Sequence, residues 1–144
     1  MTNWLKSWRR RGWLAAGAMA LGVTVFGTCA AAAAPPGDTR HGEEVYSLCL
    51  ACHALAQNRT GPRHCGLFGR RAGSVPGFAY SEAMKRSGIV WSAATLDGFL
   101  AAPSQVVPGT AMYVDVRDAK ERADLIAYLE QAGRSEICKA AQSG

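Results

Sequence analysis

Apolar and polar positions alternate along this chain with a helical period, interrupted by long stretches that have no period. From Thr39 to about Leu50, Val45, Leu48 and Cys49 recur at helical spacing, and Tyr46 sits on an adjacent face. Arg40, Glu43 and Glu44 fill the polar positions, so the segment reads as an amphipathic helix. Residues 56–79 are dense in Gly, Pro, Arg and Asn and read as loop, with turns at Thr60-Gly61-Pro62 and Val75-Pro76-Gly77. Ser81 is placed to cap a short helix over Glu82 to Arg86, which Gly88 stops. Ser92 or Thr95 caps a further helix through Leu96, Phe99 and Leu100 that ends before Pro103. Val107-Pro108-Gly109-Thr110 is a turn. The strongest helix runs from Ala119 to Gln131 on a stripe of Leu125, Ile126, Tyr128 and Leu129, with Gly133 expected as its C-cap. The fold class is all-α, three to five helices joined by long loops. Loops of that length need something to pack on.

The beginning of the chain follows a different pattern. Lys6, Arg9, Arg10 and Arg11 precede an uncharged run of 22 residues, Trp13 to Ala34, that ends in alanines. This is the layout of a secretory signal peptide, cut after Ala32 or Ala33. The same run is long enough to anchor the chain in a bilayer if it is never cut. A twin-arginine export signal at Arg10-Arg11 and lipidation at Cys29 fit the residues less well. The organisation expected is a leader over 1–34, a linker over 35–41, a folded domain over 42–133 and a tail over 134–144. The leader also accounts for the charge. Of 16 basic residues four precede residue 35, while all 11 acidic residues follow it, so the mature chain is close to neutral. Binding to nucleic acid, which the overall basicity would suggest, is excluded.

One motif carries chemistry. Cys49-Leu50-Ala51-Cys52-His53 is C-x-x-C-H, the attachment signature of c-type haem. Two thiols near a helix end can each bond one haem vinyl group, and the histidine that follows is then held where it can coordinate iron. A zinc site would need a second ligand pair at comparable spacing, and His41, His64, Cys65 and Cys138 are scattered. A redox dithiol would follow a strand in a βαβ unit, which the flanking sequence lacks. For the sixth ligand the mature chain offers Met84 and Met112. Met84 falls in a helix, whereas Met112 follows a Pro-Gly loop that can bring its thioether to the iron.

The chain from Gly42 to Gly133 resembles the class I cytochromes c, of the mitochondrial type and its bacterial relatives. The resemblance rests on Gly42 with Tyr46, Cys49 to His53, Thr60-Gly61-Pro62 and Gly66-Leu67-Phe68-Gly69-Arg70. It continues through Pro76 to Ser81, Gly88-Ile89-Val90-Trp91, Pro108 to Met112 and Asp124 to Leu129. It implies the cytochrome c fold around one covalent haem c, with His53 the proximal ligand and Met112 the distal one. It further implies that Pro62 presents its carbonyl to His53, that Arg70, Tyr80 and Trp91 surround the haem propionates, and that Gly42 and Tyr46 meet Leu125 and Tyr128. Several positions depart from the family pattern. Met84 and Phe99 stand where polar groups are usual, and Ala111 replaces a lysine beside the ligand. With only Lys85, Lys120 and Lys139 in the mature chain, the lysine ring that docks acidic oxidases is largely missing.

Cys65 and Cys138 are additions to the family pattern, and export makes a disulfide between them the expectation. His64 is expected at the surface, with a weak alternative iron ligand as the lesser reading. The function implied is a periplasmic single-electron carrier, monomeric, with His/Met-ligated iron. Its donors and acceptors would be redox proteins such as a respiratory complex, a periplasmic dehydrogenase or an oxidase. An enzymatic alternative, peroxidase or oxygen activation, needs an open iron position, against which Met112 argues. A carrier anchored in the inner membrane is the alternative if the leader is uncut.

Overall fold

The computed structural model describes residues 37–143. The expectations for the leader, for Cys29 and for the first two linker residues lie outside the described residues.

Six α-helices form among the described residues: α1 (Thr39–Tyr46), α2 (Glu82–Arg86), α3 (Ala93–Ala101), α4 (Pro103–Val106), α5 (Ala119–Gly133) and α6 (Glu136–Ser143). A 3₁₀ segment, Ser47–Ala51, continues α1, and the only strand-like pairing among these residues is an isolated bridge between Arg71 and Val90. The fold is all-α, as expected.

Helix α1 starts because the Asp38 side chain accepts the backbone N–H groups of Arg40 and His41, which have no partner inside a first helical turn. Asp118 does the same for Glu121 at the start of α5. The two helices cross, and this is the most extensive helix contact in the fold. Gly42 allows it. A Cβ there would collide with the Asp124 carbonyl and lie 2.8 Å from Tyr128 Cβ. The rings of Tyr46 and Tyr128 meet beside it with centroids 5.1 Å apart. Leu125 is wholly buried beneath, in a core that also holds Val45, Leu96, Phe99, Leu100 and Leu129.

At one end of the crossing the carboxylate of Asp124 is buried but fully partnered. It accepts from the Asp38 N–H at 2.8 Å, His41 Nδ1 at 2.7 Å and Lys120 Nζ at 2.5 Å. The Lys120 ammonium, then His41, then the Asp38 N–H hold its pKa below the ordinary aspartate value.

Four details differ from the sequence expectations. The first helix tightens after Tyr46, and Leu48, expected on its apolar face, is 69% exposed. Pro103 ends α3 but also opens α4, since a proline fits the first helical turn, where its missing N–H is not needed. Helix α5 runs through Gly133 and is capped by Arg134 in the right-handed region, so Gly133 is not a C-cap. The tail expected after residue 133 forms α6, where a disulfide joins Cys138 to Cys65 across 73 residues, both cysteines buried.

Candidate haem-attachment site

The turn that follows α1 presents the C-x-x-C-H residues. Both the Cys52 and the His53 N–H donate to the Cys49 carbonyl, at 3.0 and 2.8 Å, so the peptide winds tightly and brings the two thiols close in space. Neither thiol is in a disulfide; Cys49 is half-buried and Cys52 exposed. Burial, reinforced by Cys52, raises the Cys49 pKa above the ordinary thiol value.

The His53 ring is held by the turn that follows it. Its Nδ1 lies 2.8 Å from the Pro62 carbonyl oxygen, and a carbonyl only accepts, so Nδ1 carries the proton and Nε2 keeps its lone pair. Burial lowers the His53 pKa, with the Pro62 bond opposing. The ring is therefore a neutral imidazole with a free nitrogen, the form that binds a metal. The Cys52 carbonyl accepts the Gly61 N–H at 2.7 Å, which seats the Gly61-Pro62 turn on the motif. A Cβ on Gly61 would sit 2.6 Å from both ring nitrogens of His53.

Arg70 reaches across the loop that follows. Its two terminal nitrogens donate to the carbonyls of Cys65 at 2.9 Å and Arg63 at 3.0 Å, while Nε is buried without a partner, as is Nε of Arg63. Burial presses the Arg70 pKa down, partly offset by Tyr80; a guanidinium nevertheless stays protonated. Tyr80 is half-buried against Phe78 in an edge contact with centroids 4.7 Å apart. Trp91 is buried edge-on to Phe99 at 5.2 Å, and its backbone N–H donates to the Arg70 carbonyl at 3.0 Å.

Met112 sits at the end of the 107–112 loop. The Thr110 N–H closes the turn on the Val107 carbonyl at 2.9 Å, and the buried Thr110 hydroxyl accepts the Met112 N–H at 3.2 Å. Met112 and Cys49 pack partly buried against the same core cluster, to which Met84 belongs as a fully buried member of α2. Tyr113 and Val114, directly after Met112, are 79% and 58% exposed.

These residues fit a haem. The set comprises two free thiols, a neutral imidazole with one nitrogen available, a thioether on a loop against the same core, and buried guanidinium donors that lack an acceptor. A propionate carboxylate is the kind of acceptor such donors need. Among the described residues no three His, Cys, Asp or Glu side chains converge to hold a metal ion by themselves.

His64 is the residue that sequence reasoning misplaced. It lies half-buried in the loop rather than on the open surface: its N–H donates to the carbonyls of Ala54 and Leu55, and its Nδ1 lies 3.1 Å from the Tyr46 hydroxyl. Its ring stacks on that of His53, with centroids 4.3 Å apart and an interplanar angle of 21°. Burial, then His53 and Arg70, push its pKa down to about 3, so the ring is neutral. No spacing in the sequence marks this position; the fold alone brings it to His53.

Comparison with known proteins agrees with the geometry. The chain is 43% identical to cytochrome c2 of Blastochloris viridis over 74% of this chain and 91% of that one. It is 46% identical to cytochrome c2 of Rhodomicrobium vannielii, over 69% and 82%, and 41% identical to cytochrome c of Sesamum indicum, over 69% and 94%. The solved structure of cytochrome cH from Methylobacterium extorquens superposes with a TM-score of 0.64 at 41% identity, over 66% of this chain and 99% of that one. No family model matches the chain.

Proposed function

The chain belongs to the class I c-type cytochromes, and on that premise we propose that it carries single electrons between redox proteins of the periplasm, with His53 and Met112 as the axial ligands of its iron. As a member of this family it is an electron-transfer protein that binds one haem c covalently through Cys49 and Cys52. When bound, the haem supplies a one-electron ferric/ferrous couple.

The protein's own residues do the rest. Cys49 and Cys52 tether the group so that it is not lost outside the cell. Pro62 holds the His53 ring in the tautomer that leaves Nε2 free, and the same bond restrains how the ring can turn. The short 107–112 loop, closed by Thr110, would supply Met112 as the second ligand, and a thioether ligand raises the reduction potential. Held by both residues, the iron would have no position left for a substrate. Arg70, Tyr80 and Trp91 would surround the propionates, and the unpartnered Nε donors of Arg63 and Arg70 would meet their charge. Tyr113, Val114 and Ala111 give the docking edge an apolar, uncharged character in place of a lysine ring.

Export is supported by the pattern of residues 1–34, which reads as a leader ahead of the linker, domain and tail. The Cys65–Cys138 bond also requires an oxidising compartment. Among the described residues no helix is long and apolar enough to cross a membrane. An uncut leader would make the protein an anchored form of the same carrier, monomeric in either case.

The observation that carries the reading is the 2.8 Å contact between His53 Nδ1 and the Pro62 carbonyl, directly after the two motif cysteines. Absorption of the ferric protein tests it. The wild type is expected to show the weak red band of a methionine–iron bond and to resist cyanide. Met112→Ala is expected to lose the band and bind cyanide, and Met84→Leu to keep it. A wild type without the band that binds cyanide at once would refute Met112 ligation.

A further inference from the structure

We propose that His64 is a positioning residue that sets the plane of the His53 imidazole, through its ring stack on one side and its contact with Tyr46 on the other. The inference rests on His53 being an iron ligand. The Pro62 bond restrains one atom of the His53 ring, Nδ1. That bond limits rotation about the Cβ–Cγ torsion, which is otherwise broad, but a hydrogen bond tolerates a spread of angles. A facial contact narrows the spread, and His64 supplies it at 4.3 Å and 21°. Offset or stacked aromatic pairs at such separations are attractive and resist tilting.

His64 is held in turn. Its backbone is tied to Ala54 and Leu55, and its Nδ1 to the Tyr46 hydroxyl. Tyr46 is itself buried and in ring contact with Tyr128 at 5.1 Å. A continuous series of packed rings, Tyr128, Tyr46, His64 and His53, thus runs from the α1–α5 crossing to the ligand. An aliphatic residue at position 64 would fill the space, yet offer neither a flat face to His53 nor a partner for the Tyr46 hydroxyl. A histidine serves both.

The orientation of an axial imidazole decides how unpaired spin is distributed over the pyrroles of a ferric low-spin haem, which paramagnetic proton NMR reads as the order and spacing of the haem methyl shifts. The test compares the haem-loaded wild type with His64→Leu, His64→Phe and Tyr46→Phe. His64→Leu is expected to change the methyl pattern, and His64→Phe, which keeps a flat ring, to stay close to wild type. Tyr46→Phe, which removes only the hydroxyl, is expected to move the same resonances by less. Methyl shifts in His64→Leu that coincide with wild type would overturn the proposal, whatever happens to stability, and so would a His64→Phe pattern as altered as that of His64→Leu. If His64→Leu does not accumulate with haem, Tyr46→Phe decides, and an unmoved pattern there is equally negative. A wild-type ferric spectrum with no hyperfine-shifted His53 ring protons would instead reject His53 ligation, and this inference with it. That result is separable from the others because it appears before any substitution.

Discussion

The backbone of Gly61 lies against the imidazole of His53 so closely that a Cβ added there would stand 2.6 Å from its Nδ1. The glycine is required by this approach. Gly61→Ala must push either the ring or the Gly61-Pro62 turn away, breaking the 2.8 Å bond that orients the imidazole. Overpacking of this kind costs about 1–3 kcal/mol. The expected outcome is that loss in denaturant unfolding of the haem-loaded protein, together with a displaced reduction potential in voltammetry.

Gly42 imposes a similar demand between helices. Gly42→Ala would place a methyl against the Asp124 carbonyl and 2.8 Å from Tyr128 Cβ, where both neighbours belong to α5 and have little freedom to retreat. A loss of about 2–3 kcal/mol is expected, at the upper end of the overpacking range, with the α1–α5 crossing forced open. Chemical denaturation checks the magnitude. Hydrogen exchange of the α1 amides would show whether the opening is local.

The cap at the same crossing gives a pH dependence. The folded Asp124 carboxylate has a depressed pKa, chiefly because of Lys120 and then His41. A depressed folded pKa means that the ionised form stabilises the fold above the unfolded value, near 3.8, and that this contribution is lost as pH falls through the lower folded value. At neutral pH it is fully present. Unfolding free energies measured from pH 7 to pH 2 should therefore show Asp124→Asn less stable than wild type at neutral pH. The gap should narrow only below about pH 4, the ordinary carboxylate range.

Much of the fold was legible in the sequence, and the exceptions have physical causes. The stripe of Leu125, Ile126, Tyr128 and Leu129 foretold α5, and Ser92 does cap α3, in a capping box with Thr95. The 3₁₀ segment after Tyr46 was not legible, because Val45, Leu48 and Cys49 fit either kind of helix. The segment closes on the Cys52 N–H, which donates to the Cys49 carbonyl three residues back. Helix α6 was hidden behind Gly133, which reads as a stop, although Ser135 begins a new turn with its carbonyl accepting the Cys138 N–H at 3.1 Å. At the site, C-x-x-C-H names its own residues, whereas His64 has no sequence signature. Its contact with His53 comes from the path of the loop after Pro62.

The disulfide permits a direct measurement. Closing 73 residues of sequence would stabilise by roughly 4 kcal/mol on chain-entropy grounds. The Cys65→Ser/Cys138→Ser double variant is expected to lose up to that amount in thermal and denaturant unfolding. The tethered haem also restrains the unfolded chain and reduces the difference. Mass spectrometry of the non-reduced, alkylated wild type should find no label on either cysteine.

The same bond has a consequence for durability. Any single cut between Cys65 and Cys138 leaves two pieces that remain one covalent molecule. The first piece keeps the haem-bearing cysteines and His53, and a cut before Met112 leaves that methionine on the second. Severed in the loop around Gly73, the protein would keep both candidate ligands in one particle. A nicked chain of this kind is expected to stay one molecule until the disulfide is reduced.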